Sequence, residues 1–324
     1  MNGTLSNGNH SVRENYEFPS FDALPRVPGT PQGCLWGYYD KNGQKDELGS
    51  LNLLTSSVVR EARSEIRSGR HVQLDWPLES IQKPGFDRRP MHHVVINNYT
   101  RLKEYALDDE LEMNTQTGSH WDSLRHYAYQ KGQLFYNAVS FEEAKSSNKM
   151  GIQNWCKRGG IVGRGILVDM VRYFKEYKHI ELDAWSTVAI SSNDLDAALA
   201  AQGTIPRQGD ILIIRSGYIK RYGDAKDTPD QPTEDMVRWL YRHHFAALAG
   251  DAVAFEAWPR NPNNPWSLHE WALVWWGTPL GELWDLEGLS QVCEEEGRWS
   301  FFITSAPLNV DGEVGSPAGA IAVF

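Results

Sequence analysis

Apolar positions recur at helical spacing between Thr55 and Gly69, where TSSVVREARSEIRSG sets Val58, Val59, Ala62 and Ile66 on one stripe. Hydroxyl side chains at its start can accept the free N–H groups of a first turn, and the glycine at its end can take a left-handed conformation. The pattern predicts an amphipathic helix. Short runs rich in β-branched or aromatic residues predict strands: HVQLDW from His71, HHVVIN from His92, GILVDM from Gly165, DILIIRS from Asp210, AVAF from Ala252, WSFFITSA from Trp299 and the closing AIAVF. Helical stretches alternate with them: SNDLDAALAAQG from Ser192, TEDMVRWLYRHHFAALA from Thr233, SLHEWALVWW from Ser267 and DLEGLSQVCEEEG from Asp285. Strands and helices interleaved over the whole length predict a single α/β domain with a mixed sheet. Residues 1–30 are rich in Asn, Gly, Ser and Pro and lack periodicity, so a flexible lead-in is expected before a domain spanning 31–324. The polar, Pro-containing GDAKDTPDQPTED from Gly223 is expected to be a surface loop.

Composition narrows the class. The 324 residues are 41% hydrophobic, and a chain of that size buries roughly 75% of its unfolded surface, so neither disorder nor a disulfide-stapled miniature is expected. Asp and Glu outnumber Lys and Arg by 42 to 32, a net charge of −10. With no basic cluster to follow a phosphate backbone, nucleic acid is not an expected partner. No run approaches the roughly 20 apolar residues of a membrane span, and MNGTLSNGNHSVREN lacks a signal-peptide pattern. No membrane association and a soluble, cytoplasmic protein are therefore expected. Cys34, Cys156 and Cys293 lie far apart without a C-x-x-C, which argues against a disulfide framework or a thiolate zinc site. Phosphate-loop and dinucleotide motifs are missing, Ser316 lacks the leading Gly of a nucleophile elbow, and His269-Glu270 lacks the second His of a zinc-protease helix.

The densest chemistry lies in Gln116-Thr-Gly-Ser-His120-Trp-Asp122-Ser-Leu-Arg-His126. Imidazole and carboxylate are the usual ligands of zinc and similar ions, and residues two apart on an extended segment share a face. His120 and Asp122 can therefore converge on one ion. Gly118 permits a close turn before them, and His126 lies within plausible reach as a proton shuttle. The same residues also suit an ordinary strand edge, with His120 bonded to a backbone carbonyl. A complete coordination sphere recruits a ligand from elsewhere, for which His269 is the best candidate and Glu282 the next, although an acidic residue near a helix start needs no ligand role. Of the pairs His92-His93 and His243-His244, only one member each is expected to be buried.

The stretch QTGSHWDSLRH resembles the signature of the cyclase family of metal-dependent hydrolases, which includes kynurenine formamidase and isatin hydrolase and reads His-x-Gly-Thr-His-x-Asp-x-Pro-x-His. Gly118, His120, Asp122 and His126 fall in register, Ser119 replaces Thr, Gln116 stands at the first His and Leu124 at the Pro. WGYYDKNGQKDELGSLNLLT from Trp36, GDILIIRSGY from Gly209, DAVAFEAWP from Asp251 and LHEWALVWWGTPLGELWDLEGL from Leu268 look like blocks of the larger members, so the resemblance covers nearly everything after residue 35. It implies a swivelling β/β/α fold, a homodimer or homotetramer, and a zinc or manganese site built from His120, Asp122, His269 and Glu282, with His126 as general acid/base. Because a neutral amide binds such metals more weakly than imidazole, Gln116 points to a single divalent ion, held loosely or absent.

The expected reaction is hydrolysis of a cyclic or formyl amide or a lactone, by water made acidic on the ion with His126 moving its proton. Two alternatives are cyclisation, dehydration or isomerisation of a polyketide-like carbonyl compound through an enolate, and non-catalytic binding of a small aromatic ligand. Of the 13 tryptophans, seven fall between Trp258 and Trp299. Trp121, Trp258, Trp266 and Trp275 are expected to wall a pocket for a small hydrophobic or aromatic substrate, although rings of that size also dominate cores. Arg215 and Arg260 could recognise a carboxylate or pair with acids.

Overall fold

The computed structural model describes residues 16–182, 190–218, 232–256 and 263–324. The helix expected after Thr55 forms, with the Thr55 hydroxyl accepting the Val58 N–H, but its regular part is short. It runs as α1 (Ser56–Ala62) and tightens into a 3₁₀ turn at Arg63–Glu65. There follow β1 (His71–Gln73), β2 (His92–Asn97), α2 (Tyr99–Leu102), β3 (Leu107–Glu112), β4 (His120–Asp122), α3 (Phe141–Lys145), α4 (Gln153–Lys157), β5 (Ile161–Asp169) and α5 (Met170–Tyr173). The second half contains α6 (Ser192–Ala201), β6 (Ile211–Arg215), α7 (Glu234–His243), β7 (Ala247–Gly250), β8 (Leu280–Glu282), α8 (Glu287–Glu296), β9 (Ser300–Ser305), β10 (Gly315–Pro317) and β11 (Ala320–Val323), with a π-helical stretch at Glu270–Trp276.

Among the described residues, nine strands form one mixed sheet in the order β1-β11-β9-β5-β6-β7-β8-β4-β10, while β2 and β3 pair only with each other. The central steps β5 to β6, β6 to β7 and β7 to β8 are parallel and the others antiparallel. Parallel strands are covered on both faces and so read as unbroken apolar runs. This explains two departures from expectation. The helix from Thr233 stops at His244, whose φ of 50° ends it, and the following ALAG is the buried strand β7. The AVAF segment at 252–255, expected as a strand, lies beyond it as a series of bends.

The sheet curls on itself. β10 lies at one end of the order and β11 next to the other, yet only Ala318 and Gly319 separate them in the chain. Asp75 accepts the N–H groups of Gly319 and Ala320 at 2.9 Å, and Asp75 also bridges to Trp284, which draws the two ends together. Gly319 takes a φ of +51°, and a Cβ there would meet the Ala306 carbonyl at 2.9 Å, so the corner requires glycine. Trp121, Trp155, Trp284 and Phe301 fill the interior with essentially no exposure.

The segment 16–30 is not the loose lead-in expected of it: Tyr16, Phe21 and Leu24 are buried against the body, and the Tyr241 hydroxyl donates to the Pro19 carbonyl at 2.8 Å. Residues 1–15 and most of the polar segment from Gly223 lie outside the described residues.

Beside β10, the carboxyl of Glu313 is buried with one oxygen lacking any hydrogen-bond partner, and desolvation raises its pKa to about 7. Since the folded value lies above the unfolded one, the stability this group contributes is present below about pH 4.5 and is lost as the pH rises through 7. Glu313→Gln is therefore expected to match the parent in urea unfolding at pH 5 and to exceed it at pH 8 by about 1 kcal/mol after solvent screening.

Candidate metal centre

Strand alternation turns His120 and Asp122 to one face of β4 and Trp121 to the other. Strand β8 pairs alongside with Glu282 directly opposite His120, so two neighbouring strands deliver three potential ligands. His120 Nε2 lies 3.5 Å from Asp122 Oδ1 and 3.5 Å from Glu282 Oε2. The Gly118 carbonyl, which can only accept, meets His120 Nδ1 at 2.7 Å and so fixes the proton there, leaving Nε2 to face the two carboxylates. The bond to a backbone carbonyl anticipated for an ordinary strand-edge His is thus present, and it orients His120 toward the acids.

His126 stands 3.7 Å from Asp122 Oδ2. The Gln116 amide nitrogen reaches Asp122 Oδ1 at 2.5 Å and His126 Nδ1 at 3.0 Å. A donor in that position orients both groups and does not ligate a cation, which removes Gln116 from the ligand set in this arrangement. The Gln116 backbone carbonyl accepts from Arg88 at 2.9 Å.

His269, which precedes the π-helical stretch, is held between carboxylates, with Nδ1 2.7 Å from Glu256 Oε1 and Nε2 3.1 Å from Glu282 Oε1. Glu256 also accepts from the Ser267 hydroxyl and the Leu268 N–H, both at 2.9 Å. The ligand atoms that converge are those of His120, Asp122 and Glu282, all within 4.8 Å of one another; His269 adjoins this group through Glu282.

Burial and charge oppose each other throughout the cluster. For His120, burial disfavours the imidazolium, but Asp122 and Glu282 outweigh it and raise the pKa to about 9. His269 is likewise raised against its burial by Glu256 and Glu282. His126 is lowered, by burial first and then by the nearby His269, with Asp122 opposing. Burial would raise Asp122 and Glu282, yet the adjoining histidines hold both below their usual range.

The fit to a cation can be judged from unused atoms. Among the described residues, His120 Nε2 and Asp122 Oδ2 are buried without hydrogen-bond partners. Leaving such atoms unpaired costs about 1–3 kcal/mol each. One imidazole and two carboxylates, buried and converging, are a donor set suited to a divalent ion.

Of the four tryptophans expected to wall a pocket, Trp121 and Trp275 are core residues. Trp121 points into the rolled sheet, donates to Ser305 Oγ at 2.9 Å and meets Trp284 edge-on at 4.8 Å, so it is a core residue with no surface in a cleft. Trp275 is 3% exposed and packs on Trp36 and Tyr129 at 5.2 and 5.0 Å. Trp266 stacks on Trp271 at 5.7 Å, while Trp258 and Arg260 lie outside the described residues. Arg215 pairs with Asp169 at 2.9 Å and Glu287 at 2.8 Å, a structural role. Sequence reading missed Arg88 and Glu256. No spacing marks either, although Glu256 lies in the DAVAFEAWP block.

Comparison with known proteins agrees with this architecture. The cyclase family model matches residues 53–257. A crystal structure described as a novel cyclase superposes with a TM-score of 0.77 at 30% identity, covering 90% of this chain and 99% of the other. Isatin hydrolase A from Labrenzia aggregata, bound to benzyl benzoate, shares the fold at 18% identity with a TM-score of 0.57, covering 84% of this chain and 98% of its own. The Ralstonia solanacearum isatin hydrolase A does so at 19% and 0.55, covering 88% and 100%. No curated protein matches the sequence. With most of its length matched by the family model and nearly all of it by a cyclase structure, the chain belongs to the cyclase family.

Proposed function

We propose that this protein is a metal-dependent hydrolase of a cyclic or formyl amide or a lactone, working with one zinc or manganese ion. The observation that carries this reading is the pair of unpartnered buried atoms, His120 Nε2 and Asp122 Oδ2, converging with Glu282. His120, Asp122 and Glu282 would hold the ion, with His269 behind Glu282. When bound there, a divalent ion polarises a carbonyl oxygen and makes water acidic enough to ionise near neutral pH.

The chain's own residues supply the proton handling. The side chains of His120, Asp122, Glu282 and His269 are 0 to 9% exposed, whereas that of His126 is 20% exposed. His126 thus stands between the ligands and solvent, where a proton shuttle is needed. Its lowered pKa leaves the ring neutral at pH 7 and able to accept a proton, and Asp122 stabilises the imidazolium that results. Gln116 keeps the ring in place by donating to Nδ1, and Glu256 fixes His269 by accepting from its Nδ1. The Gln116 amide, donating to Asp122, supports one ion over two.

The test is turnover of isatin, N-formyl aromatic amines and aromatic lactones by zinc- or manganese-loaded protein in ¹⁸O-labelled water. Label in the product is expected. His126→Ala should lower kcat by about 10²–10⁴ with metal content unchanged. Full turnover in both His126→Ala and chelator-treated protein would overturn the reading, and a product of unchanged mass, or one lacking only water, would favour cyclisation or dehydration.

A further inference from the structure

A cation stands at the edge of the acid-rich ligand group. Arg88 closes a turn in which its N–H donates to the Gly85 carbonyl at 3.2 Å. Phe86 and Asp87, between them, have φ of 60° and 52°, the left-handed region that L side chains rarely adopt. The turn leads into β2, where both His92 and His93 are exposed, contrary to the expectation that one would be buried. It sets the Arg88 guanidinium over the Phe86 ring, 4.9 Å from the centroid, with Nη1 donating to the Gln116 backbone carbonyl at 2.9 Å. The side chain of the same Gln116 reaches Asp122 and His126, so Arg88 lies on the His126 side of the group, the side nearer to solvent.

The guanidinium is under-compensated for its position. Arg88 is half-buried, and burial lowers its pKa against the attraction of Asp122 and Glu282, yet among the described residues it forms no ion pair. Other arginines away from solvent are satisfied. Arg164 and Arg215 each meet two carboxylates, and Arg125 and Arg158 each place both terminal nitrogens on backbone carbonyls. Arg88 places one nitrogen so, and among the described residues its Nε and Nη2 donate to none. Asp122 and Glu282 cannot serve as its counter-ions while they hold a metal ion.

We infer that Arg88 is a specificity residue, which receives a carboxylate that the substrate itself carries beside the bond to be cut. Nε and Nη2 form a planar fork that matches two carboxylate oxygens side by side, and the Gln116 carbonyl and the Phe86 ring hold its plane. The substrate class is thus an amide or lactone bearing a free carboxylate. This rests on the hydrolase reading for the place of the scissile bond.

Zinc-loaded protein should hydrolyse N-formyl-2-aminobenzoate with a kcat/KM at least about tenfold above that for N-formylaniline, which lacks the carboxylate. Arg88→Gln keeps a donor for the Gln116 carbonyl and should cut this ratio by about 10- to 100-fold, through KM of the acid and not through kcat. Arg88→Lys, which keeps the charge without the fork, should restore part of it. Arg89→Gln removes the same charge from a side chain that is 65% exposed and paired with Glu112, and should leave the ratio as it was. Calorimetric titration of the zinc-free full chain with benzoate and benzamide reads the same site without turnover. Benzoate should bind more tightly than benzamide, and Arg88→Gln should remove the difference. Equal binding of the two by the parent, a preference for the acid that survives Arg88→Gln, or an equal loss in Arg89→Gln would overturn the inference. Absence of turnover of both formyl compounds would overturn the hydrolase reading alone, and the benzoate titration would still decide the role of Arg88.

Discussion

Asp122→Ala is expected to strip the protein of its divalent ion and its turnover together. Asp122 faces His120 at 3.5 Å and His126 at 3.7 Å and has one buried oxygen with no hydrogen-bond partner among the described residues, so it would link the proposed ligand group to the proposed proton shuttle. Even groups that merely orient a metal ligand are worth 10–100-fold in affinity, so loss of this carboxylate should weaken metal binding by at least about a hundredfold. Elemental analysis after gel filtration should show about one ion per chain in the parent and almost none in the variant. Retention of the parent's metal content would show that the ion sits elsewhere. Circular dichroism should stay native, because the side chain is small and its strand is held by backbone pairing to β8 and β10.

Trp121→Ala should produce the largest loss of stability, about 3–5 kcal/mol, because it empties the interior of the rolled sheet. The ring is fully buried between Trp155 and Trp284, and its removal also leaves the Ser305 hydroxyl oxygen without its indole donor. A residue walling a substrate cleft would instead raise KM with little change in unfolding. Urea denaturation therefore separates the two roles directly, and an unchanged midpoint would return Trp121 to the pocket.

The same residue shows how the sequence can be under-read. The alternation that brings His120 and Asp122 to one face necessarily sends Trp121 to the other, so its core position follows from the reasoning that found the ligands. The motif located His120, Asp122 and His126, and the downstream block supplied Glu282 and His269. What spacing could not show is that β4 and β8 are adjacent, a contact across 160 residues of chain. Arg88 and Glu256 act through tertiary contacts alone and left no periodic trace. Longer segments such as α6 and β9 were legible from several turns or alternations of pattern, and β6 from an unbroken β-branched run of strand length. Strands β4, β8 and β10, three residues each, are too short to show a period, and β7, apolar on both faces, has none to show.

The corner at Ala318–Gly319 also sets an order of events during synthesis. Strand β4, which carries His120 and Asp122, is flanked by β8 and by β10 at Gly315–Pro317, and the roll closes only when β11 inserts between β9 and β1. A nascent chain displays its histidines and carboxylates long before either flanking strand has emerged from the ribosome. Strand β4 meets β8 first and gains its second neighbour only once residue 317 has been made, so the strand that carries His120 and Asp122 is flanked on both edges at a late step of folding.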